Sequence, residues 1–425
     1  MTGSPAPRRS LYYGWIVVGV TVPVLMLSAG MRSAPGAWLL PMQGDLGWST
    51  ATLSLAAAIG LLVYGFSGPV AGALIQRFGV RAVTASSVLA SAAAMLLTSL
   101  LQTQWQLYLV FGFLSGLATG LVGGVLGAVV ANRWFVRHRG LVVGIMGAAV
   151  SAGQLVFFPL LTAWAVTLGW RTAATFLALI CLAALAPVLV LLRDSPARMG
   201  LLPLGGQPGR PLDGAEPAGV VMRRALPHPT FWLLALTFYV CGASSNGIVG
   251  QHFIPHAVDH GFTELVAAGA LAVVGAFNFV GTIASGWLTD RYDPRKLLLA
   301  YYVFRGLSLL ALPFVHDRVG LVAFAVLFGL DYIATVPPTV ALAADTFGRA
   351  NVGVVYGWVF AAHQVGAAIA AWGAGLMRDA YGDYVVAFFA AGGLAIVAGV
   401  MAMLIRRDRT GLPEVVAPTA AAVGR

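Results

Sequence analysis

The stretch Gly30 to Ser49 returns in the second half of the chain. Set beneath GMRSAPGAWLLPMQGDLGWS, the segment SSNGIVGQHFIPHAVDHGFT from Ser244 to Thr263 places Gly250, Pro255, Asp259 and Gly261 on Gly36, Pro41, Asp45 and Gly47, each 214 residues on. The same spacing carries Gly72, Arg77 and Arg81 of GALIQRFGVR onto Gly286, Arg291 and Arg295 of GWLTDRYDPR. A spacing of 213 carries Gly140, Gly144 and Gly153 onto Gly353, Gly357 and Gly366. Matches that keep order and spacing in three separate segments predict two copies of one unit, each about half of the chain.

Each copy is too apolar for a water-soluble globule. The chain is 59% hydrophobic and 9% charged, which leaves little polar surface to face water. Twelve apolar runs have the length that crosses a bilayer, roughly 20 residues. They cover 14–40, 51–75, 82–102, 106–131, 140–166, 172–192, 231–256, 264–288, 297–315, 319–344, 352–377 and 384–405, and are numbered here as spans 1 to 12. The expected fold is an all-α integral membrane protein of twelve transmembrane helices in two pseudo-symmetric six-helix halves. The halves are residues 1–192 and 230–409, joined by a cytoplasmic linker at 193–229 and followed by a disordered tail at 410–425. Span 1 is too long for a cleaved signal peptide and has eleven more behind it. Cys181 and Cys241 fall inside spans of different halves, which suggests neither a disulfide nor a metal site. Parallel repeats of six spans are one way in which carriers are built.

The net charge of +10 is a topology signal rather than a sign of a nucleic-acid partner. Arg8, Arg9, Arg77, Arg81, Arg133, Arg137, Arg139, Arg193, Arg198, Arg210, Arg223, Arg224, Arg291, Arg295, Lys296, Arg349, Arg406, Arg407 and Arg409 fall on one side of the predicted topology, and Arg171, Arg318 and Arg378 on the other. The positive-inside rule then puts both termini and the linker in the cytoplasm, here beneath a bacterial inner membrane. The linker, rich in Pro, Gly and Arg and without a sustained period, reads as flexible or partly interfacial.

The two Gly–Arg loops resemble the paired loop motif of the major facilitator superfamily, between helices 2 and 3 and between helices 8 and 9. The resemblance implies a gating role for Gly72, Arg77, Arg81, Gly286, Asp290 and Arg291, whose contacts break and re-form as the halves rock. The first copy departs from the pattern, with Gln76 where an Asp is usual. The segments YYGWIVVG, PMQGDLGWS, NRWFVRHRGLVVGIMGAAVSAGQ and YGWVFAAHQVGAA are similar to the monocarboxylate and oxalate–formate branch of the superfamily. That likeness implies small organic anions as cargo, moved with protons or by exchange. The glycines at 140, 144, 147 and 153 suit close packing of span 5.

The anion chemistry of the branch is not inherited intact. Where characterised members carry an Arg on helix 8, four residues after an Asp or Asn, this chain has Asn278 followed by Thr282. His363 stands where exchangers carry a helix-11 Lys, and around Gly36 there is no Lys of the mammalian type. Arg32, well inside span 1, offers the charge instead: it costs at least about 2.5–3.5 kcal/mol at membrane depth unless it faces a cavity or a partner, and its forked donors suit a carboxylate. Asp331 in span 10 meets a similar cost. It either pairs with Arg32 or another base, or takes up a coupling proton. His363, with an unperturbed pKa of about 6.5, is the other candidate proton carrier. Substrate contacts are expected from Arg32, Asn278, His363, Gln364 and Tyr332, with Tyr239, Trp358 and Phe360 as further cavity aromatics.

Arg305 in span 9 reads as a side chain snorkelling to the cytoplasmic face. His252, His256 and His260, at helical spacing but interrupted by Pro255, read as interfacial histidines rather than a metal site. Nothing suggests an enzyme, a cofactor or an ATP-driven pump, since no Walker sequence or nucleophile–base motif is present. The expected protein is a monomeric carrier of a small organic anion, driven by a proton or solute gradient, its partners being that anion, H+ and the lipid bilayer. The competing readings are a proton-driven exporter of amphipathic compounds, which would use Asp331 to attract cations, and a transport-fold sensor, for which the linker is too short to hold a signalling domain.

Overall fold

The computed structural model describes residues 12–123, 125–205, 217–348 and 351–406. Arg8, Arg9, Arg210, Arg349, Arg407, Arg409 and the 410–425 tail lie outside that set. Twelve helical spans follow one another: α1 (Tyr13–Leu46), α2 (Thr50–Phe78), α3 (Val80–Ser99), α4 (the segments Gln104–Gln106, Leu107–Leu114, Ser115–Gly120 and Val125–Trp134), α5 (Arg139–Leu168), α6 (Trp170–Leu191), α7 (Pro229–Asp259), α8 (Glu264–Thr289), α9 (Pro294–Phe314), α10 (Arg318–Phe347), α11 (Val352–Tyr381) and α12 (Val385–Met403). Among the described residues eleven of these are long and apolar enough to cross a membrane. The other, α4, is divided by a π-helical stretch at Leu107–Leu114 and a turn at 121–123. Two more spans are irregular: α7 carries a π segment at Ala243–Val249, and α10 a turn at 332–335. Broken backbone at membrane depth survives only where other protein groups satisfy it.

The repeat reappears as repeated packing. A Cβ added to Gly153 of α5 would meet the Met26 carbonyl oxygen of α1 at 2.6 Å, and one added to Gly366 of α11 would collide with the Tyr239 carbonyl oxygen of α7. Both partners are related by the same 213 residues. With no water to squeeze out between helices, such backbone approach is what holds membrane helices together. The third match is more telling, because Gly36 and Gly250 touch each other: a Cβ on Gly36 would collide with the Gly250 carbonyl oxygen. Two repeat-equivalent residues in contact must straddle the axis that relates the halves, so the axis passes between α1 and α7 at this point.

The seam between the halves runs along α2 with α11 and α5 with α8. It is tight at the end away from the basic loops. There the Asp379 carboxylate of α11 accepts from the Thr50 and Ala51 amides of α2 at 3.1 and 2.9 Å, a negative charge on a helix N-terminus. A Cβ on Gly375 would lie 2.7 Å from Ser54 Oγ. Towards the basic end the same four helices carry Gly72, Gly144, Gly147, Gly286, Gly353 and Gly357, each with open space beside it. The expected close packing of α5 therefore holds at Gly153 but not at Gly144 and Gly147; the surroundings of Gly140 lie outside the described set.

The start of the linker is docked rather than loose. Leu204 N–H donates to the Trp134 carbonyl and its own carbonyl accepts from Val136 and Arg137 (2.9, 3.0 and 2.8 Å), while the Tyr12 hydroxyl donates to Leu202 and Trp134. The short helix Ala218–Ala225 buries Val221 and Ala225 against the second half.

Candidate functional site

Arg32 sits midway along α1, half-buried, with its guanidinium 4.6 Å from the centre of the Tyr64 ring on α2. Its Nε is buried without a hydrogen-bond partner, and among the described residues it forms no ion pair. A cation–π contact offsets only part of the cost of a cation at this depth. The side chain borders a narrow cleft formed with Pro35, Leu61, Phe111 and Gln251. Arg32 thus holds a buried donor, Nε, with no partner among the described residues.

Arg305 is the opposite case, and it corrects the snorkelling expectation. It is wholly buried, and its Nε bonds Asp331 Oδ2 at 2.6 Å. One terminal nitrogen donates to the Asp331 and Tyr332 carbonyls at 2.8 and 3.1 Å, the other to Cys241 Sγ and Ser244 Oγ at 3.0 and 3.3 Å. The two carbonyls are those released where α10 breaks, and Cys241 and Ser244 lie where α7 enters its π segment. A single guanidinium therefore holds both irregular spans, as a cation at a helix C-terminus should. Of the two alternatives for Asp331, pairing with a base other than Arg32 describes this geometry, although its Oδ1 is buried and unpartnered.

Asn278 serves as a bridge between helices. It is fully buried; Nδ2 donates to Ser151 Oγ of α5 at 3.1 Å, and Oδ1 accepts from the Ile333 amide at 3.1 Å and from Thr282 Oγ1 at 3.2 Å. Three of its four hydrogen-bonding positions go into joining α8 to α5, to the broken part of α10 and to Thr282 of its own helix, which leaves one Nδ2 hydrogen. By the repeat spacings Asn278 and Ser151 correspond to Tyr64 and Gln364, and on that other seam Gln364 packs against the neighbour of Tyr64: a Cβ on Gly65 would lie 2.6 Å from Gln364 Cβ. There the polar groups stay open. Gln364 is fully buried with both amide atoms unpartnered.

His363 follows on the same helix, its ring 5.6 Å from Phe360 in a stacked arrangement and 4.8 Å from Phe238, with Nδ1 unpartnered. Phe360 in turn meets Tyr64 at 6.4 Å. Tyr332 donates from its hydroxyl to Asn246 Oδ1 at 2.9 Å, with Gln154 beside the same hydroxyl. Trp358, by contrast, is largely exposed. The polar groups that the sequence analysis passed over are Tyr64, Gln154, Asn246 and Gln251. Their signal was available: each is a polar side chain inside an apolar run, and such residues rarely face lipid.

Among the described residues, no hydrogen bond or ion pair joins a gating-loop residue to the other half. Arg77 lies over Phe78, while Arg291 covers Trp287 and donates to its carbonyl. The carboxylate that does meet this loop is Asp194, just after α6, and it lies at the start of α3 rather than at Gln76. Asp194 accepts from the Arg81 amide at 2.9 Å and from Arg198 at 2.5 Å. It fills the place of a side chain at Gly79, whose φ of +89° already favours glycine.

The three histidines of α7 are not all interfacial. His252 and His256 are buried, and His252 Nε2 lies 2.7 Å from the Ala371 carbonyl oxygen. His260 has Nδ1 and Nε2 beside the His256 and Pro313 carbonyls at 2.9 and 3.0 Å. Among the described residues no group of three or more ligating side chains is arranged for a metal.

Two six-helix bundles meeting on a pseudo-twofold axis, with polar groups collected at mid-depth along the seam, define a membrane transporter and not an enzyme. The chain belongs to the major facilitator superfamily, whose family model matches residues 21–316 and 270–423. It is similar to the uncharacterized MFS-type transporter YcxA of Bacillus subtilis, with 26% identity over 385 residues that cover 89% of this chain and 92% of that one. It is also similar to monocarboxylate transporter 13 of Bos taurus, with 28% identity over 382 residues, 89% of this chain and 86% of that one. Among solved structures, a bacterial homolog of the human lysosomal transporter Spinster, inward-facing and unoccupied, matches 96% of this chain and 100% of its own with a TM-score of 0.76 and 15% identity. A D-xylose–proton symporter matches 94% of this chain and 100% of its own with a TM-score of 0.73 and 15% identity. At such identities the structural likeness concerns the fold alone.

Proposed function

We propose that the protein is a secondary carrier of small organic anions, monocarboxylates foremost, working by alternating access between the two halves. The observation that carries this reading is Arg32, a cation at membrane depth whose Nε has no partner and which borders a cleft. A carboxylate is the group that cancels such a charge, and the fork geometry of a guanidinium fits it. Similarity to monocarboxylate transporters supports the same cargo class. Gln364, His363 and Tyr332 would contact the anion from the second half, and rocking about the Gly36–Gly250 contact would carry it across. With Arg305 neutralised by Asp331, the site offers one uncancelled fixed charge, which suits a monoanion better than a dianion. The exporter reading weakens for a related reason: it needs an unpaired mid-depth carboxylate, and Asp331 is held by Arg305.

Coupling to a proton belongs to the same proposal, with His363 and the free oxygen of Asp331 as the carriers, and exchange of anions as the alternative. The carrier would reside as a monomer in the inner membrane, its termini and basic loops in the cytoplasm, as the positive-inside rule directs. The test is uptake of radiolabelled monocarboxylates into proteoliposomes. The reading expects uptake that Arg32→Ala abolishes and that an inside-alkaline gradient stimulates. Uptake indifferent to Arg32 opposes the anion site, and uptake indifferent to the gradient opposes proton coupling.

A further inference from the structure

The cleft beside Arg32 contains a second polar group without a partner, of opposite character. Gln251 of α7 is buried and borders the same cleft. One end of its carboxamide lies 3.4 Å from the Asn246 carbonyl oxygen. A carbonyl oxygen only accepts, so the NH2 must be at that end, and the atom left over is the acceptor Oε1. That oxygen is buried and bonded to nothing. The two helices are close at this level, since a Cβ on Gly36, one turn beyond Arg32, would lie 3.4 Å from Gln251 Cα. The cleft therefore presents a cationic donor from the first half and a neutral acceptor from the second.

Buried polar atoms left unpaired are costly, and a site built to bond a hydroxyl or N–H rejects analogues that lack it. A plain alkanoate answers Arg32 and leaves Gln251 bare. A keto acid adds another acceptor, and a dicarboxylate sets a second anionic oxygen against Oε1. A hydroxy acid answers both. The rest of the wall is close and mixes apolar side chains, Pro35, Leu61 and Phe111, with the hydroxyl-bearing Tyr64, Ser115 and Thr119, and behind them a Cβ on Gly116 would meet the Gly60 carbonyl oxygen at 2.5 Å. So narrow a cleft favours a short chain over a long one.

We propose that Gln251 is a specificity-determining residue, accepting a hydrogen bond from the hydroxyl of a short hydroxy-monocarboxylate whose carboxylate is held by Arg32. The proposal rests on the anion-carrier reading given above. A ligand bound in this way touches both halves at once, next to the Gly36–Gly250 contact.

The experiment is calorimetric titration of the purified full-length protein with two matched pairs of acids, lactate against propionate and 3-hydroxybutyrate against butyrate. In the wild type the hydroxy acid of at least one pair should bind about 10- to 100-fold more tightly than its parent. Gln251→Met keeps side-chain length and removes the acceptor. It should erase that preference while leaving the parent acid's affinity within about threefold, so parent binding also reports that the variant is folded. Parent acids that bind the wild type as tightly as hydroxy acids, or a preference that survives Gln251→Met, overturn the assignment of Gln251. If that happens while Arg32→Ala still abolishes binding, the carboxylate site stands and only the hydroxyl site falls. Binding that survives Arg32→Ala overturns both.

Discussion

Arg32 and Arg305 are the same residue type at similar depth in opposite halves, and they do different work. Arg305 spends its donors on a carboxylate, two carbonyls, a thiol and a hydroxyl, and so fixes the breaks in α7 and α10. Arg32 has a ring beneath it and a cleft beside it. Depth alone says that a charge needs a reason. The partner list says whether the reason is structural or lies in a ligand.

The largest effect that can break this contrast is on stability. Arg305→Ala leaves Asp331 charged, buried and alone, and should lower unfolding stability by about 3–5 kcal/mol, read by thermal denaturation in detergent. Replacing both partners, Arg305→Met with Asp331→Leu, should recover most of that loss, because removing a whole buried pair is often nearly neutral. A double variant as unstable as the single one would mean that the bonds to α7 and α10, rather than the ion pair, dominate. Next in size is the axial contact. Gly36→Ala forces a methyl into the Gly250 carbonyl and should disfavour this conformation by about 1–3 kcal/mol. A cysteine placed at Gly144, where space is open, should then label more slowly from the basic end. Smaller again is the capping carboxylate: Asp194→Asn should cost about 1 kcal/mol through the weakened cap of α3. Gln76→Asp, which restores the usual motif residue elsewhere in the loop, should not repair it. Arg32→Ala should have the least effect on melting, since no hydrogen bond or ion pair is lost.

The repeat, the twelve spans and the loop motifs were legible because each is a matter of spacing along one chain. The glycine matches went further, since equivalence of Gly36 and Gly250 implies that any contact between them lies on the axis. Arg32 was legible as a charge in an apolar run. The Arg305–Asp331 pair was not, because its members are on neighbouring helices 26 positions apart, and an Arg on an outer helix reads as a snorkelling side chain until its direction is known. The bridging by Asn278 was hidden for a similar reason, since sequence does not reveal that Ser151, Thr282 and the Ile333 amide take three of its hydrogen bonds. Gln251 and Asn246 carry no charge to mark them in an apolar run, and their value lies in which end of an amide is left unpaired, a property of geometry alone.

The central claim is that Arg32, and not Arg305, meets the substrate. It is tested most directly by carboxylate-dependent thermal stabilisation, since a ligand of the folded state raises apparent stability by mass action. Short monocarboxylates would be compared on the wild type, on Arg32→Ala and on the Arg305→Met/Asp331→Leu double variant. The account predicts a shift in the wild type that vanishes in Arg32→Ala and persists in the double variant. A shift kept by Arg32→Ala and lost in the double variant would contradict it, and would make the buried pair the binding site.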